Sequence, residues 1–163
     1  MKTLNRILIA ATIFLLCGCS FGDPKPQSED IAALRAIVNL PMEVKSARWE
    51  IFGTPDDSGW VPGPTDFHTL IAELEQEQDW FSSLKEPARE IFIVPEAARP
   101  WLTREFRDLL NRNKNSTAIL SSRANCRKYV TTVTKSGREL VGVACNSSGK
   151  ILVYLPLAPQ VHE

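Results

Sequence analysis

The amino-acid sequence predicts an α+β fold: a single small domain whose antiparallel sheet, ending in a C-terminal three-stranded meander, packs against two or three helices. Three observations predict it. Toward the C-terminus, apolar runs at Arg127 to Val133, Glu139 to Ala144 and Ile151 to Leu155 are separated by Lys135-Ser136-Gly137 and Asn146-Ser147-Ser148-Gly149, both hairpin-turn chemistry. Earlier in the chain, three segments place apolar residues at helical spacing. Finally, the 145 residues from Cys19 onward suffice for one domain with its own core and are too few for two comfortable ones.

Residues 31–38 (IAALRAIV) form the first expected helix, with Ser28 or Asp30 as its cap and Pro41 as its stop. From Glu43 to Phe52 the pattern changes to alternation, with Ala47, Trp49 and Ile51 on one face and Arg48 and Glu50 on the other. That is a half-buried strand. Gly53 to Pro64 (GTPDDSGWVPGP) holds three glycines and three prolines, so it continues neither strand nor helix. Its Trp60 and Val61 either fold back as a plug or form a recognition tip, and they are the candidate binding loop.

Thr65 or Asp66 then caps a second expected helix, with Phe67, Leu70, Ile71, Leu74 and Phe81 as its buried stripe and Glu73, Glu75, Glu77 and Asp79 as an acidic run. Ile91 to Val94 is a short continuous apolar run that reads as an interior strand. Pro100 opens the third helix, which turns Leu102, Phe106, Leu109 and Leu110 inward and carries Arg99, Arg104, Arg107, Arg112 and Lys114 elsewhere. Thr117 to Leu120 adds a further short strand. The acidic and basic runs read as solvated faces, as weak mutual pairs, or as patches that orient a charged partner.

The first residues have a different character. Lys2 and Arg6 precede the apolar run Ile7 to Leu16, which is too short to span about 30 Å of hydrocarbon and has the layout of an export signal. The run ends in Leu16-Cys17-Gly18-Cys19, which resembles the lipobox of bacterial lipoproteins, with Cys17 in the slot where Ala, Ser, Thr or Val is more usual. The resemblance covers residues 1 to 20 only. It implies a signal peptide over 1–18, diacylglyceryl on the Cys19 thiol, an acyl chain such as palmitate on its amine, and a flexible tether over 19–30 that leads into a single periplasmic domain over 31–163. Two or more chains hold a protein on a bilayer, where one holds it only marginally. In Gram-negative members of the class, a residue other than Asp after the lipidated cysteine implies the outer membrane. Ser20 holds that position, so the expected place is the periplasmic face of the outer membrane.

With Cys17 removed and Cys19 lipidated, Cys126 and Cys145 remain, and an exported chain with two free cysteines reads as one disulfide. A four-residue loop over Thr134 to Gly137 sets Cys126 opposite Cys145, Tyr129 opposite Gly142 and Val130 opposite Val141, which makes the bridge a geometric expectation as well. The composition, 19 basic against 19 acidic residues, loses Lys2 and Arg6 with the signal. That balance gives no argument for nucleic acid. No cofactor and no metal site is expected, since neither cysteine has ligands at metal spacing.

No esterase elbow, phosphate loop, zinc-protease pair or dinucleotide fingerprint is present, so no catalytic residue is assigned. His68 and His162 are the only histidines. The expected function is a membrane-anchored, non-enzymatic protein-binding module of the immunity, inhibitor or envelope-accessory type, with an envelope protein as partner and the bilayer held through Cys19. The alternatives are an envelope hydrolase using Asp66, His68 and Glu73, or a purely structural envelope protein.

Overall fold

The computed structural model describes residues 27–54, 67–120 and 125–157. The strands are β1 (Val44–Thr54), β2 (Phe67–Gln76), β3 (Glu90–Ile93), β4 (Ser116–Ile119), β5 (Asn125–Thr132), β6 (Glu139–Ser147) and β7 (Lys150–Pro156), and the helices are α1 (Ile31–Ile37) and α2 (Arg104–Asn113). Five strands make one antiparallel sheet in the order β1-β2-β7-β6-β5, and β3 pairs with β4 in a separate two-stranded ladder.

The sheet is covered on both faces. On the first, Ala47, Trp49, Leu70, Leu74, Tyr129, Ile151 and Val153 pack beneath α1 and the chain that follows it. On the second, Ile71, Val143, Cys145, Leu152 and Tyr154 pack beneath β3, α2 and β4. The central strand β7 is therefore buried on both sides, with Ile151 to Leu155 almost wholly shielded from solvent.

The predicted α+β class is overturned, because the fold is mostly β: the described residues are 49% strand against 21% helix, with two α-helices among them. The largest correction is the helix expected after Asp66. Residues 67–76 form β2, which pairs with β1 through Ala47↔Leu74 and Ile51↔Leu70 and with β7 through Leu70↔Leu155 and Leu74↔Ile151. A strand shielded on both faces carries apolar residues on both, so Leu70, Ile71 and Leu74 mimic helical spacing without any helix. The run Ile91 to Val94 does form a strand, β3, but one with an exposed face carrying Glu90 and Phe92 where an interior strand is expected, and among the described residues it pairs only with β4.

Helix α1 forms where local signals place it, whereas the third expected helix does not open at Pro100: α2 starts at Arg104, and Leu102, although buried, precedes it. The Asp30 carboxylate accepts the Ala33 N–H at 2.9 Å, and Leu34 is fully buried at the centre of α1. Helix α2 buries Phe106, Leu109 and Leu110 as one stripe.

The β5–β6 hairpin has the register set by its loop, pairing Cys126 with Cys145, Tyr129 with Gly142 and Val130 with Val141. The disulfide between Cys126 and Cys145 is formed, with the Cα atoms 4.0 Å apart. At Gly142 a Cβ would lie 2.1 Å from the Tyr154 carbonyl oxygen, so only glycine lets β6 approach β7 there. Ser148 and Gly149, with φ of 51° and 79°, close the two-residue turn from β6 to β7.

Both tyrosines of the chain are interior. The Tyr154 hydroxyl accepts the Val94 N–H at 3.1 Å and donates to the Phe92 carbonyl at 2.9 Å, which pins the end of β3 to the central strand. Tyr129 packs edge-on against Trp80, ring centroids 5.2 Å apart. Burial pushes both phenols above their ordinary value. A raised folded-state value favours the neutral form, so this contribution is intact below about pH 10 and is lost as the pH climbs beyond it. A spectrophotometric titration is expected to show no phenolate at the ordinary value, with both tyrosines ionising together as the fold opens. A tyrosine titrating normally with the fold intact would contradict the burial.

Candidate functional site

The densest group of charged side chains lies on the second face, where β1 and β2 meet the segment entering α2. Arg48 and Glu73 are direct cross-strand partners. The Glu73 side chain is 3% exposed, and its Oε1 accepts from Arg48 Nη2 at 2.5 Å and from Lys150 Nζ at 2.8 Å. Its Oε2 accepts the Thr103 N–H at 2.6 Å. Thr103 is the N-cap of α2 and makes no side-chain cap bond, so the carboxylate puts negative charge at the positive end of the helix.

Two residues along β1, on the same face, Glu50 holds the same segment. Its Oε1 accepts from Arg99 Nη2 at 2.6 Å and its Oε2 from the Trp101 indole at 3.3 Å. The Arg99 guanidinium lies 4.6 Å from the centroid of the Phe52 ring, and that of Arg48 lies 5.9 Å from the Trp101 ring. Three cations thus meet two carboxylates, and together they clasp residues 99–103 to the sheet. Burial alone would raise the Glu73 carboxyl. Hydrogen bonds from Lys150, the Thr103 N–H and Arg48, with the charge of Arg48, hold it below the usual carboxylate range. A carboxylate held ionised, with both oxygens occupied, is a fastener and a poor general base.

The structure does not assemble His68 with Glu73. Both lie on β2, five residues apart, which puts their side chains on opposite faces and their Cα atoms about 17 Å apart. His68 is exposed at the start of the strand. Asp66, the loop residues Trp60 and Val61, and the signal and lipidation residues up to Cys19 lie outside the described residues. Among the described residues, no three His, Cys, Asp or Glu side chains gather as metal ligands.

Sequence reasoning placed Arg48 and Glu50 on a strand's solvent face and missed the clasp. A faint signal was available in the charges alternating along that strand, but its partners Trp101, Thr103 and Lys150 are distant in the chain. The acidic run resolves into one buried carboxylate, Glu73, and the more exposed Glu75, Glu77 and Asp79. Of the basic positions, Arg99 is drawn into the clasp, while Arg104 pairs with Asp108 of its own helix at 3.6 Å.

The chain matches no family model, no curated protein and no solved structure.

Proposed function

We propose that the chain is an envelope lipoprotein, anchored through Cys19, that works as a non-enzymatic protein-binding module. The supporting observation is how the side chains are used. The carboxylates of the charged cluster are saturated by internal partners, while Phe92, Ile119, Val130 and Val141 stay 39% to 49% exposed. Val130 and Val141 are cross-strand partners on one face of the β5–β6 hairpin. Phe92 and Ile119 are diagonal neighbours on the outer side of the β3–β4 ladder, whose inward residues Ile91 and Ile93 are buried. Apolar pairs on an otherwise polar surface suit a protein partner.

The test has two parts. Mass spectrometry of the envelope-associated protein is expected to find Cys19 as a diacylglyceryl-modified first residue, and Cys19→Ser to remain unprocessed. Crosslinking in the envelope, followed by recovery of the wild type, is expected to yield a partner lost on Trp60→Ala or on Val130→Lys with Val141→Lys. Equal recovery with every variant would sink both surfaces as binding sites.

A further inference from the structure

Each of the two sheets has two edges, and three of the four carry bonded cover. On the outer edge of β1, Trp49 exchanges N–H···O bonds of 2.8 Å with Ser28. On that of β5, the Lys128 N–H donates to the Glu86 carbonyl at 3.0 Å and the Thr132 carbonyl accepts the Asn39 N–H at 2.9 Å. On that of β3, the Tyr154 hydroxyl takes the Val94 N–H and the Phe92 carbonyl. Among the described residues, the outer edge of β4 has no backbone partner.

The direction of the β4 groups follows from β3. Phe92 and Val94 turn their C=O and N–H toward Tyr154, while the Ile93 carbonyl, on the other side of the strand, accepts the Asn115 N–H at 2.7 Å. Ile91 and Ile93 therefore bond β4 through their ladder partners, Ala118 and Ser116. Thr117 and Ile119 are left with N–H and C=O directed outward, two donors and two acceptors along one edge.

This edge is accessible and apolar. Strand β4 is exposed along its length except at half-buried Ala118. Ser116 to Ile119 include neither proline nor charge, two of the usual devices that close an edge against another chain. Beside the outward groups, Ile119 is 49% exposed and Phe92, its diagonal neighbour on the outer face of the ladder, 39%.

We propose that a partner protein adds an extended segment to the outer edge of β4, laying alternate apolar side chains over Ile119 and Phe92, an assignment that rests on the reading of the chain as a protein-binding module. Extended backbone fits because it repeats donor and acceptor at the two-residue spacing of Thr117 and Ile119. Its residues bonded to Thr117 and Ile119 turn their side chains to the outer face, so apolar residues belong at alternate positions. A second copy pairing β4 with β4 would engage four residues a side, against the roughly 20 to 30 of a stable interface. Strand addition instead draws its affinity from the backbone bonds themselves.

The test is amide hydrogen exchange, read residue by residue on the full chain in neutral detergent, with and without a short blocked peptide of alternating valine and threonine ended by lysines. Without peptide, the Thr117 and Ile119 amides are expected to exchange freely and the Ala118 amide slowly. Millimolar peptide is expected to slow Thr117 and Ile119 roughly tenfold. Ile119→Lys, which leaves the inward residues unchanged, is expected to lose the effect, as is N-methylation of the peptide on its bonding edge. Thr117 and Ile119 amides already protected in the free monomer would overturn an open edge, and no slowing with peptide would overturn strand addition. Protection that grew with protein concentration alone would assign the edge to a second copy and overturn the partner segment. An envelope protein crosslinked equally to wild type and to Ile119→Lys would overturn the β4 site while leaving the protein-binding reading in place.

Discussion

Replacing Glu73 with Ala is expected to lower the unfolding free energy by about 3 kcal/mol, the low end for breaking a buried ion pair from one side. Its side chain is 3% exposed and meets three donors, so the substitution strands Arg48, Lys150 and the Thr103 N–H together. The low end applies because Arg48 and Lys150 are 33% and 39% exposed and water reaches them once the carboxylate is gone. Glu73→Gln keeps one acceptor for the Thr103 N–H but turns an amide NH2 toward the donors of Arg48 and Lys150. It retains the bond to α2 and loses both ion pairs, so its cost is expected to be smaller than that of Glu73→Ala. The two variants also differ from the wild type in acid. A carboxyl held below its ordinary value contributes stability that is complete above about pH 4.3 and is lost as the pH falls through the lower folded-state value. Urea unfolding at neutral and acid pH is the measurement. Wild type is expected to lose this increment on acidification and Glu73→Gln to lack it, so parallel pH profiles would refute the role given to Glu73.

Legibility in the sequence follows the range of the interactions. Asp30 capping α1, the Phe106, Leu109 and Leu110 stripe of α2, and the register of the Cys126 to Cys145 hairpin are set by neighbours within one turn or one loop, and residue spacing carries them. Strand β2 is set by β1 on one side and β7 on the other, with apolar cover above and below. Its one-dimensional pattern cannot record that it has two buried faces, and spacing alone reads it as a helix. The clasp is harder still to see. Glu73 meets Arg48, Thr103 and Lys150 across 25, 30 and 77 residues of chain. Only the closed sheet brings these groups together, and in the sequence Glu73 is one acid in a run of four.

Removal of the disulfide as Cys126→Ala with Cys145→Ala is expected to cost about 3 kcal/mol, the loop-closure entropy of a crosslink spanning about 20 residues. The folded hairpin holds without the bridge, because Val133 and Arg138 close it at its other end: the Val133 N–H donates to the Arg138 carbonyl at 2.8 Å. The ladder from Cys126 to Thr132 also keeps its partners on β6. Most of the effect therefore lies in the denatured chain, which is freer to expand without the link. Two signatures separate this from damage to the core. The urea m-value is expected to rise, since the uncrosslinked chain exposes more surface on unfolding, and the native far-ultraviolet spectrum is expected to be unchanged. A lower m-value with a loosened native spectrum would place the loss in the folded state instead. Both cysteines are fully buried, so a thiol reagent reaches the intact bridge only when the fold opens. Reduction is thus expected to proceed at the rate of opening and to become independent of reductant at high concentration. A rate that stayed proportional to reductant under native conditions, with no sign of unfolding, would mean that the bridge is exposed.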